Sequence, residues 1–262
     1  MTILYQENIS MQQQPLNGKV ALITGSARRI GATTAQYLHD AGMSIIIHYS
    51  TSHDEAEELA ALLNKKRADS AKLLQVDFSH SLDMPQLAKK IASLFGRLDA
   101  LVNNASQFFT TAIDQFDEAA FDRLMHVNLK MPFLLSQAVA PYLKEANGSI
   151  VNITDIHGNC PLRDYGIYSI SKAGLIMATK VLAKELAPHI RVNAVSPGAI
   201  LWPEGENNLA PQVQRDIIDS TLLKREGLPD EIAKGVLFFI RDASYSTGQI
   251  LAVDGGRLLT AI

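Results

Sequence analysis

The sequence predicts an α/β fold, a single doubly wound domain in which helices flank a parallel sheet on both faces. Short β-branched apolar runs alternate with segments of helix length along the chain, and no proline-rich or low-complexity linker interrupts them. With 262 residues, 47% of them hydrophobic, the chain is long enough for one large core. We expect residues 1–15 to form a flexible N-terminal extension and residues 16–262 to form the domain.

The first half of the chain contains four predicted strands and three predicted helices. The strands are residues 19–23, 44–49, 72–76 and 100–102, and the helices are residues 30–41, 54–66 and 84–95. Gly42 favours the end of the first helix, because glycine readily adopts the left-handed conformation found there.

The second half continues the alternation. Strands are predicted at residues 149–153, 191–195 and 249–253, and helices at residues 168–186 and 231–239. Pro229 precedes the last helix, and proline is favoured at a helix start because its nitrogen needs no intrahelical partner.

Charge and composition exclude several classes of function. The 24 basic and 27 acidic residues give no basic excess, so we expect no nucleic-acid partner. No apolar run reaches the roughly 18 residues of a membrane span, and the first fifteen residues lack the basic and apolar regions of a signal peptide. Cys160 is the one cysteine and is interpreted as incidental rather than nucleophilic. We expect a cytoplasmic protein with no membrane partner and no metal site.

The turn after the first strand has the pattern of a dinucleotide-binding loop of the Rossmann type. Residues 24–31 read TGSARRIG, where Gly25 permits a tight turn and Gly31 lets the helix start close to the sheet. The helix N-terminus offers free N–H groups to a pyrophosphate. Arg29 stands where such loops usually carry a third glycine, and Arg28 and Ile30 complete the predicted contacts.

The end of the second strand favours NADPH over NADH. NAD enzymes normally carry an acidic residue there to bind the ribose hydroxyls, but this chain has His48, Tyr49 and Ser50. Neutral donors together with the cation of Arg28 suit a 2′-phosphate. Glu55 lies just downstream, so the preference for NADPH/NADP⁺ need not be absolute.

Polar residues that follow the later strands form a candidate catalytic group. Tyr168 and Lys172 are four residues apart and share one helix face, where a nearby ammonium lowers the tyrosine pKa from its usual value of about 10. Such a pair alone is not specific, but Asp155 follows the strand at 149–153 and faces the same crevice. Asn128 lies in an otherwise apolar helical pattern and therefore needs a buried partner.

In this order and at these intervals the motifs resemble those of short-chain dehydrogenases/reductases, from about Gly18 to the end of the chain. The motifs are the Thr24-Gly25 loop, Asp77, Asn103-Asn104-Ala105, Asn128, Tyr168 with Lys172, Pro197-Gly198, and Asp254-Gly255-Gly256. The resemblance implies tyrosine-dependent hydride transfer and a homotetramer in which the helices bearing Asn128 and Tyr168 pair across subunits. It also implies cofactor contacts from Asp77, Asn104, Ala105, Ser106, Tyr168, Lys172, Pro197 and Gly198.

Three departures from the general pattern are similar to the pteridine reductase subfamily. Arg29 and Ser106 each replace a glycine, and Asp155 replaces the usual catalytic serine, which gives an Asp-Tyr-Lys triad. The stretches at 103–108 (NNASQF) and 197–204 (PGAILWPE) also resemble that group. A carboxylate beside the tyrosine favours the protonated phenol and thereby supports proton delivery to a ring nitrogen.

The resemblance also suggests how a pterin binds. Phe108 would stack on the pterin, with core packing against Phe109 as the alternative, and Arg29 and Ser106 would bind both the cofactor phosphate and the pterin edge. Trp202 lies in a segment at 197–211 that is long enough to be a lid, and a packing role is equally compatible with its position.

We therefore expect an NADPH-dependent pteridine reductase that reduces dihydrobiopterin, dihydromonapterin or dihydrofolate. Tyr168, supported by Asp155 and Lys172, would supply the proton, and Asn128 would hold a relay water. The first alternative is a reductase of ketoacyl or sugar carbonyls, against which Asp155 argues because a carboxylate repels a forming oxyanion. The second is a non-catalytic NADP-binding scaffold, which would need neither Tyr168 nor Lys172.

Overall fold

The computed structural model describes residues 16–115, 117–202 and 209–260. The predicted extension at 1–15 and part of the predicted lid, residues 203–208, lie outside the described residues. Within the described residues, no helix is both long enough and apolar enough to cross a membrane. No group of three or more His, Cys, Asp or Glu side chains in these ranges is arranged to hold a metal ion.

Seven parallel strands form one sheet in the order β3-β2-β1-β4-β5-β6-β7. The strands are β1 Val20–Ile23, β2 Ser44–Tyr49, β3 Ala71–Gln75, β4 Ala100–Asn103, β5 Ser149–Ile153, β6 Arg191–Pro197 and β7 Ile250–Val253. The order reverses between β1 and β4, so the predicted doubly wound α/β fold is confirmed, and the reversal opens a crevice at the carboxyl ends of the strands.

The described residues contain eight α-helices. They are α1 Arg29–Asp40, α2 His53–Lys66, α3 Met84–Phe95, α4 Glu118–Met125, α5 Met131–Glu145, α6 Gly166–Leu186, α7 Pro211–Ser220 and α8 Pro229–Leu237. Wider π-helical turns follow α4 at His126–Lys130 and α8 at Phe238–Asp242, and short 3₁₀ turns lie at Ile156–Gly158 and Arg257–Leu259.

Two hydrophobic layers, one on each face of the sheet, form the core. Ala21 and Ile23 of β1 pack towards α1, α2 and α8, whereas Val20 and Leu22 of the same strand pack towards α3, α5 and α6. Both faces of the central strands are covered, and this explains why the strands read as continuous apolar runs rather than as alternating patterns.

Most predicted element bounds agree with the structure, and the differences arise at the ends. The bounds of β2, β5 and α3 are as predicted, but α6 begins at Gly166 instead of Tyr168, and β6 extends to Pro197. Pro197 continues the strand because β6 pairs with β7 as far as Val253. The predicted helix at 231–239 starts too late, because Pro229 already forms the first turn of α8.

Candidate active site

Two cavities lie at the carboxyl edge of the sheet. The loop cavity, about 420 Å³, runs along the turn between β1 and α1, and the tyrosine cavity, about 620 Å³, surrounds Tyr168. The loop cavity is lined by the cofactor residues predicted in the first half of the chain: Gly25, Arg28, Arg29, Ile30, Gly31, His48, Tyr49, Ser50, Asp77, Asn104, Ala105 and Ser106. The tyrosine cavity is lined by Arg29, Ser106, Phe108, Asp155, Tyr168, Lys172, Pro197, Gly198 and Trp202.

The turn between β1 and α1 forms a cradle that only small residues permit. A Cβ atom on Gly31 would lie 2.3 Å from the Gly25 carbonyl oxygen, so any side chain there would collide with the backbone of the turn. The first turn of α1 carries no acidic residue, and the first N–H groups of an α-helix are not used by intrahelical hydrogen bonds. These features fit the pyrophosphate of a dinucleotide.

Arg29 keeps the backbone conformation of the glycine that it replaces. Its φ is +55°, in the left-handed region that costs an ordinary residue free energy. The guanidinium of Arg29 donates to the Trp202 carbonyl oxygen (3.0 Å) and lines both cavities, so this strained residue joins the two sites.

The His48 side chain connects the turn between β1 and α1 to the segment after β3. The Gly25 N–H donates to Nδ1 (2.9 Å), Nε2 therefore carries the hydrogen and donates to the Val76 carbonyl (3.0 Å), and the ring stacks on Phe78. Burial lowers the pKa of His48 to about 4, so the ring is neutral near pH 7. Both ring nitrogens are occupied, and His48 consequently supports the loop rather than offering a donor to a phosphate.

The groups nearest the predicted 2′-phosphate position are exposed. Arg28 lies 3.6 Å from the Glu55 carboxylate, and both side chains are more than 40% exposed. Ser50 lines the cavity beside them, whereas the Tyr49 hydroxyl is hydrogen-bonded to His53 Nδ1 (2.8 Å). The structure therefore leaves Arg28 at the cavity with an acidic neighbour, as the position of Glu55 in the sequence indicated.

The turn after β4 is tied to the loop after β1. Asn104 Nδ2 donates to the carbonyl oxygens of Thr24 (2.9 Å) and Gly25 (3.0 Å), and the Ala105 N–H donates to the Thr24 hydroxyl (3.0 Å). Asp77 accepts hydrogen bonds from the Ser79 N–H (2.8 Å) and the Ser79 hydroxyl (2.8 Å), and these two bonds lower its pKa. The walls of the loop cavity are thus fixed to one another.

The Tyr168 hydroxyl donates a hydrogen bond to Asp155 Oδ2 at 2.7 Å. Asp155 Oδ1 accepts from the His157 N–H (2.8 Å), which fixes the carboxylate at the end of β5. The Lys172 ammonium donates to the Ile153 carbonyl (3.0 Å) and lies 5.6 Å from the centre of the Tyr168 ring. Tyr168 and Lys172 are both buried.

The electrostatics of this group favour a protonated phenol. Burial, and then the Asp155 charge, raise the pKa of Tyr168 well above 10. Burial lowers the pKa of Lys172 to about 8, although Asp155 opposes the shift. The shift is opposite in direction to the lowering of the Tyr168 pKa expected from Lys172, because burial and then the Asp155 carboxylate that faces the hydroxyl raise that pKa.

Asn128 does not line either cavity. It lies buried in the π-helical turn His126–Lys130, where Oδ1 accepts from the Gln107 N–H (2.8 Å) and the Ser106 hydroxyl (3.1 Å). Its Nδ2 donates to the Gln107 carbonyl (2.9 Å) and the Ser171 hydroxyl (3.2 Å). All four hydrogen-bonding positions of the amide are used, so the expected relay water cannot bind the side chain. Asn128 instead positions the segment after β4.

Phe108 stacks on Tyr165, with ring centres 4.3 Å apart, and meets the Tyr168 ring edge-on at 4.8 Å. The alternative of packing against Phe109 is not observed, since the Phe109 ring lies beneath the Arg123 guanidinium (5.3 Å). Trp202 is partly buried and contributes its carbonyl to Arg29. An aromatic wall therefore forms one side of the tyrosine cavity.

Sequence reasoning missed several residues of the tyrosine cavity, among them Arg163, Tyr165 and Arg257. Arg257 follows the Asp254-Gly255-Gly256 turn, in which Asp254 accepts from the N–H groups of Gly256 (2.9 Å) and Leu258 (2.7 Å). That motif was recognised, but its role in directing the next side chain into the cavity depends on the left-handed Gly256 (φ +80°), which the sequence does not display.

Comparison with known proteins supports the resemblance to short-chain dehydrogenases/reductases. Residues 25–257 match the family described as enoyl-(acyl carrier protein) reductase. The chain is 35% identical to a 3-oxoacyl-(acyl-carrier-protein) reductase FabG of Thermotoga maritima over 93% of this chain and 99% of the relative. It is 35% identical to the 3-oxoacyl-(acyl-carrier-protein) reductase of a Synechocystis species (93% and 98% covered) and 34% identical to a cyclopentanol dehydrogenase of a Comamonas species (92% and 97%). The chain therefore belongs to the enoyl-(acyl carrier protein) reductase family of the short-chain dehydrogenase/reductase superfamily, whose members are oxidoreductases that use a nicotinamide cofactor.

Proposed function

We propose that this chain is an NADPH-dependent pteridine reductase that converts dihydropterins to their tetrahydro forms. The observation that carries the proposal is the hydrogen bond from the Tyr168 hydroxyl to Asp155 (2.7 Å). A buried phenol held beside a carboxylate stays protonated, and a protonated phenol is the acid that reduction of a ring C=N bond requires.

The chain supplies the proton and the geometry of this reaction. NADPH, when bound, supplies the hydride, which goes to the carbon of the C=N bond. Tyr168 donates its proton to the nitrogen, and Asp155 orients the hydroxyl. Lys172 adds positive charge within the same buried site, and its anchoring to the Ile153 carbonyl keeps the ammonium in place.

The binding surfaces suit a flat, polar ring. The Phe108 and Tyr165 rings provide an aromatic wall on which such a ring can stack. Arg29 and Ser106 line both cavities and can therefore contact the cofactor and the substrate edge together. Pterin recognition by hydrogen bonding needs polar groups of this kind at the end of an apolar slot.

The preference for NADPH is supported by Arg28 and Ser50 and by the absence of a carboxylate at the end of β2. A guanidinium binds a phosphate with two parallel hydrogen bonds, whereas a ribose diol is better served by an acidic residue. Glu55 is the acidic group within reach of Arg28, and it weakens this preference without reversing it.

The second candidate is reduction of a carbonyl, such as a ketoacyl group. The relatives carry names of 3-oxoacyl reductases and an alcohol dehydrogenase, so the comparisons favour this candidate over the pterin. Asp155 favours the pterin, because its carboxylate would lie beside the oxyanion that forms when a carbonyl is reduced. No specific feature favours a non-catalytic NADP-binding scaffold.

The deciding experiment is an absorbance assay of NADPH oxidation with dihydrobiopterin, dihydrofolate and a simple keto ester. Turnover of a pterin that is lost in Tyr168→Phe and reduced in Asp155→Asn would support the pterin function. Turnover of the keto ester alone would assign the chain to the carbonyl reductases. An Asp155→Ser variant that gains activity on the ester would support the electrostatic argument.

We also propose that the chain is a homotetramer. Ile170, Met177 and Val181 of α6 are exposed at intervals that put them on one face, and each is more than 40% exposed in the single chain. Association through this face would bring the helices bearing Tyr168 together. Analytical ultracentrifugation tests the proposal: Met177→Glu should dissociate the assembly, and a monomeric wild-type protein would contradict it.

A further inference from the structure

Arg257 is a cation of the tyrosine cavity to which the proposed mechanism gives no role. Its backbone is held on both sides, since its N–H donates to the Asp254 carbonyl (3.2 Å) and its own carbonyl accepts from the Thr260 N–H (3.0 Å). The turn that carries it is locked by Asp254. The start of this long side chain is therefore fixed at the cavity wall.

The guanidinium of Arg257 forms no hydrogen bond or ion pair with any residue in the described ranges 16–115, 117–202 and 209–260. Two carboxylates are close enough to interact with its charge, Asp155 and Asp254. Both are committed elsewhere, Asp155 to the Tyr168 hydroxyl and the His157 N–H, and Asp254 to the backbone of its own turn. Among the described residues, the five N–H donors of this guanidinium therefore have no hydrogen-bond partner.

Burial of the charged Arg257 side chain is electrostatically unfavourable. Arg257 is partly buried, and burial is the main influence on its pKa, which is lowered. A guanidinium nevertheless remains charged in proteins, so the desolvation cost persists until an anion binds it. A binding site tolerates this unfavourable burial when a bound anion compensates for it.

The cavity as a whole also favours an anion. Arg29, Arg163, Lys172 and Arg257 line it, whereas Asp155 is the acidic residue among its described lining residues. The chain carries a formal net charge of −3, so this concentration of positive charge is local. Clefts that concentrate one sign of charge raise the local concentration of oppositely charged ligands.

We propose that Arg257 binds a carboxylate of the substrate, so that the substrate class is a dihydropterin, or on the carbonyl alternative a keto acid, with an anionic substituent. The inference rests on the proposed function for the identity of the ring and deepens it. Arginine pairs with carboxylates through two parallel hydrogen bonds, which gives both affinity and orientation. Arg257 therefore acts in specificity, while Tyr168 and Asp155 handle the proton.

The test compares substrates that differ in charge. For wild type, Arg257→Gln, Arg257→Lys and Arg163→Gln, kcat/KM is measured with dihydrofolate and dihydrobiopterin, and with a keto acid and its ethyl ester. Loss of charge-assisted hydrogen bonds should lower the anionic-to-neutral selectivity about 10–100-fold in Arg257→Gln, mainly through KM. Arg257→Lys should restore part of it. Arg163 is exposed at the cavity mouth, so its loss should change the ratio less than about threefold.

Equal losses on the charged and neutral members of a pair would overturn the inference, because they would mean that Arg257 acts through Asp155 or through the fold. An Arg163→Gln effect as large as that of Arg257→Gln would also overturn it, since a general field would then explain the selectivity. Thermal unfolding of Arg257→Gln checks the fold directly, and we expect a midpoint no lower than that of wild type, because the guanidinium makes no hydrogen bond with the described residues and its burial is unfavourable.

Failure of the proposed function is distinguishable from failure of this inference. If neither pterin is reduced but the keto acid is, the pterin function fails and the keto acid and ester pair still tests Arg257. If no substrate turns over, calorimetric titration of folate and biopterin into the NADP⁺-loaded protein gives the answer. Weaker folate binding by Arg257→Gln with unchanged biopterin binding supports the inference, and equal folate affinities for wild type and variant overturn it.

Discussion

Asp155 accepts a hydrogen bond from the Tyr168 hydroxyl at 2.7 Å, and the second oxygen of the same carboxylate accepts from the His157 N–H. The carboxylate therefore cannot turn away from the phenol without breaking a backbone hydrogen bond. This fixed pairing makes the tyrosine a buried acid and places negative charge where a serine of a carbonyl reductase would place a hydroxyl.

Replacing Asp155 with Asn should move the alkaline limb of the pH–rate profile to lower pH. Burial and the Asp155 charge raise the Tyr168 pKa, and the active phenol is lost as pH rises through that value. Removal of the charge lowers the pKa, so activity should be lost earlier, together with an about 10–100-fold fall in kcat/KM for a dihydropterin. Asp164→Asn, at an exposed position on the same approach to α6, should leave the limb in place. An unmoved limb in Asp155→Asn would contradict the assignment.

Arg28 and Glu55 should control the choice between NADPH and NADH. Arg28→Ala should lower kcat/KM for NADPH about 10–100-fold and affect NADH much less, because the 2′-phosphate is absent from NADH. Glu55→Gln removes the group that competes for the guanidinium at 3.6 Å. Because exposed ion pairs are weak, we expect NADPH affinity to rise only about twofold to fivefold in that variant. Steady-state kinetics with both cofactors measure the ratio, and equal losses for both in Arg28→Ala would refute the prediction.

Lys172 should make the folded protein more stable at high pH. Burial lowers its pKa to about 8, so the folded chain releases this proton before the unfolded chain does. Between that value and the ordinary lysine pKa of about 10.4, the unfolded state binds more protons and the free energy of unfolding rises with pH. Urea titrations should show wild type gaining about 2–4 kcal/mol over Lys172→Met across this interval.

Lys180→Met is the matched control, because Lys180 is exposed on the same helix. Its unfolding free energy should follow the wild-type pH dependence. Parallel curves for wild type and Lys172→Met would mean that the buried ammonium does not titrate as described.

His48 should make the fold sensitive to acid. Burial lowers its pKa to about 4, whereas the unfolded chain binds the proton near pH 6.5. The stabilisation is thus fully present above pH 6.5 and is lost as pH falls towards 4, by about 2–4 kcal/mol. Equilibrium unfolding of His48→Asn should show a weaker acid dependence, whereas the exposed His189→Asn should behave as wild type. An identical acid dependence in both variants would exclude His48 as the source.

The parts of the fold that sequence reasoning predicted are those that local chemistry determines. The bounds of β2, β5 and α3 are as predicted, and α3 ends sharply because Gly96 adopts a φ of +75°. The π-helical turn at His126–Lys130 was not predicted. It contains Asn128, whose four side-chain hydrogen bonds connect it to residues at least 21 positions away in the chain.

The candidate site was likewise predicted where local sequence determines it and missed where tertiary packing does. Residue types and spacing placed Asp155, Tyr168 and Lys172 together, and the structure brings them into contact. Residue types and spacing did not indicate that His48 accepts from the Gly25 N–H or that Arg257 lines the tyrosine cavity, because both depend on tertiary packing. The effect of Asp155 on the Tyr168 pKa was expected from the sequence, whereas the larger effect of burial required coordinates.

Arg29, Ile30, Asn104 and Ser106 line the loop cavity and the tyrosine cavity at once. The occupant of one cavity therefore forms part of the wall of the other, and the two ligands share contacts with the same strained arginine. Their binding free energies must then be coupled, and thermodynamic linkage makes that coupling reciprocal. Whatever factor the nicotinamide cofactor adds to the affinity for the substrate, the substrate adds to the affinity for the cofactor.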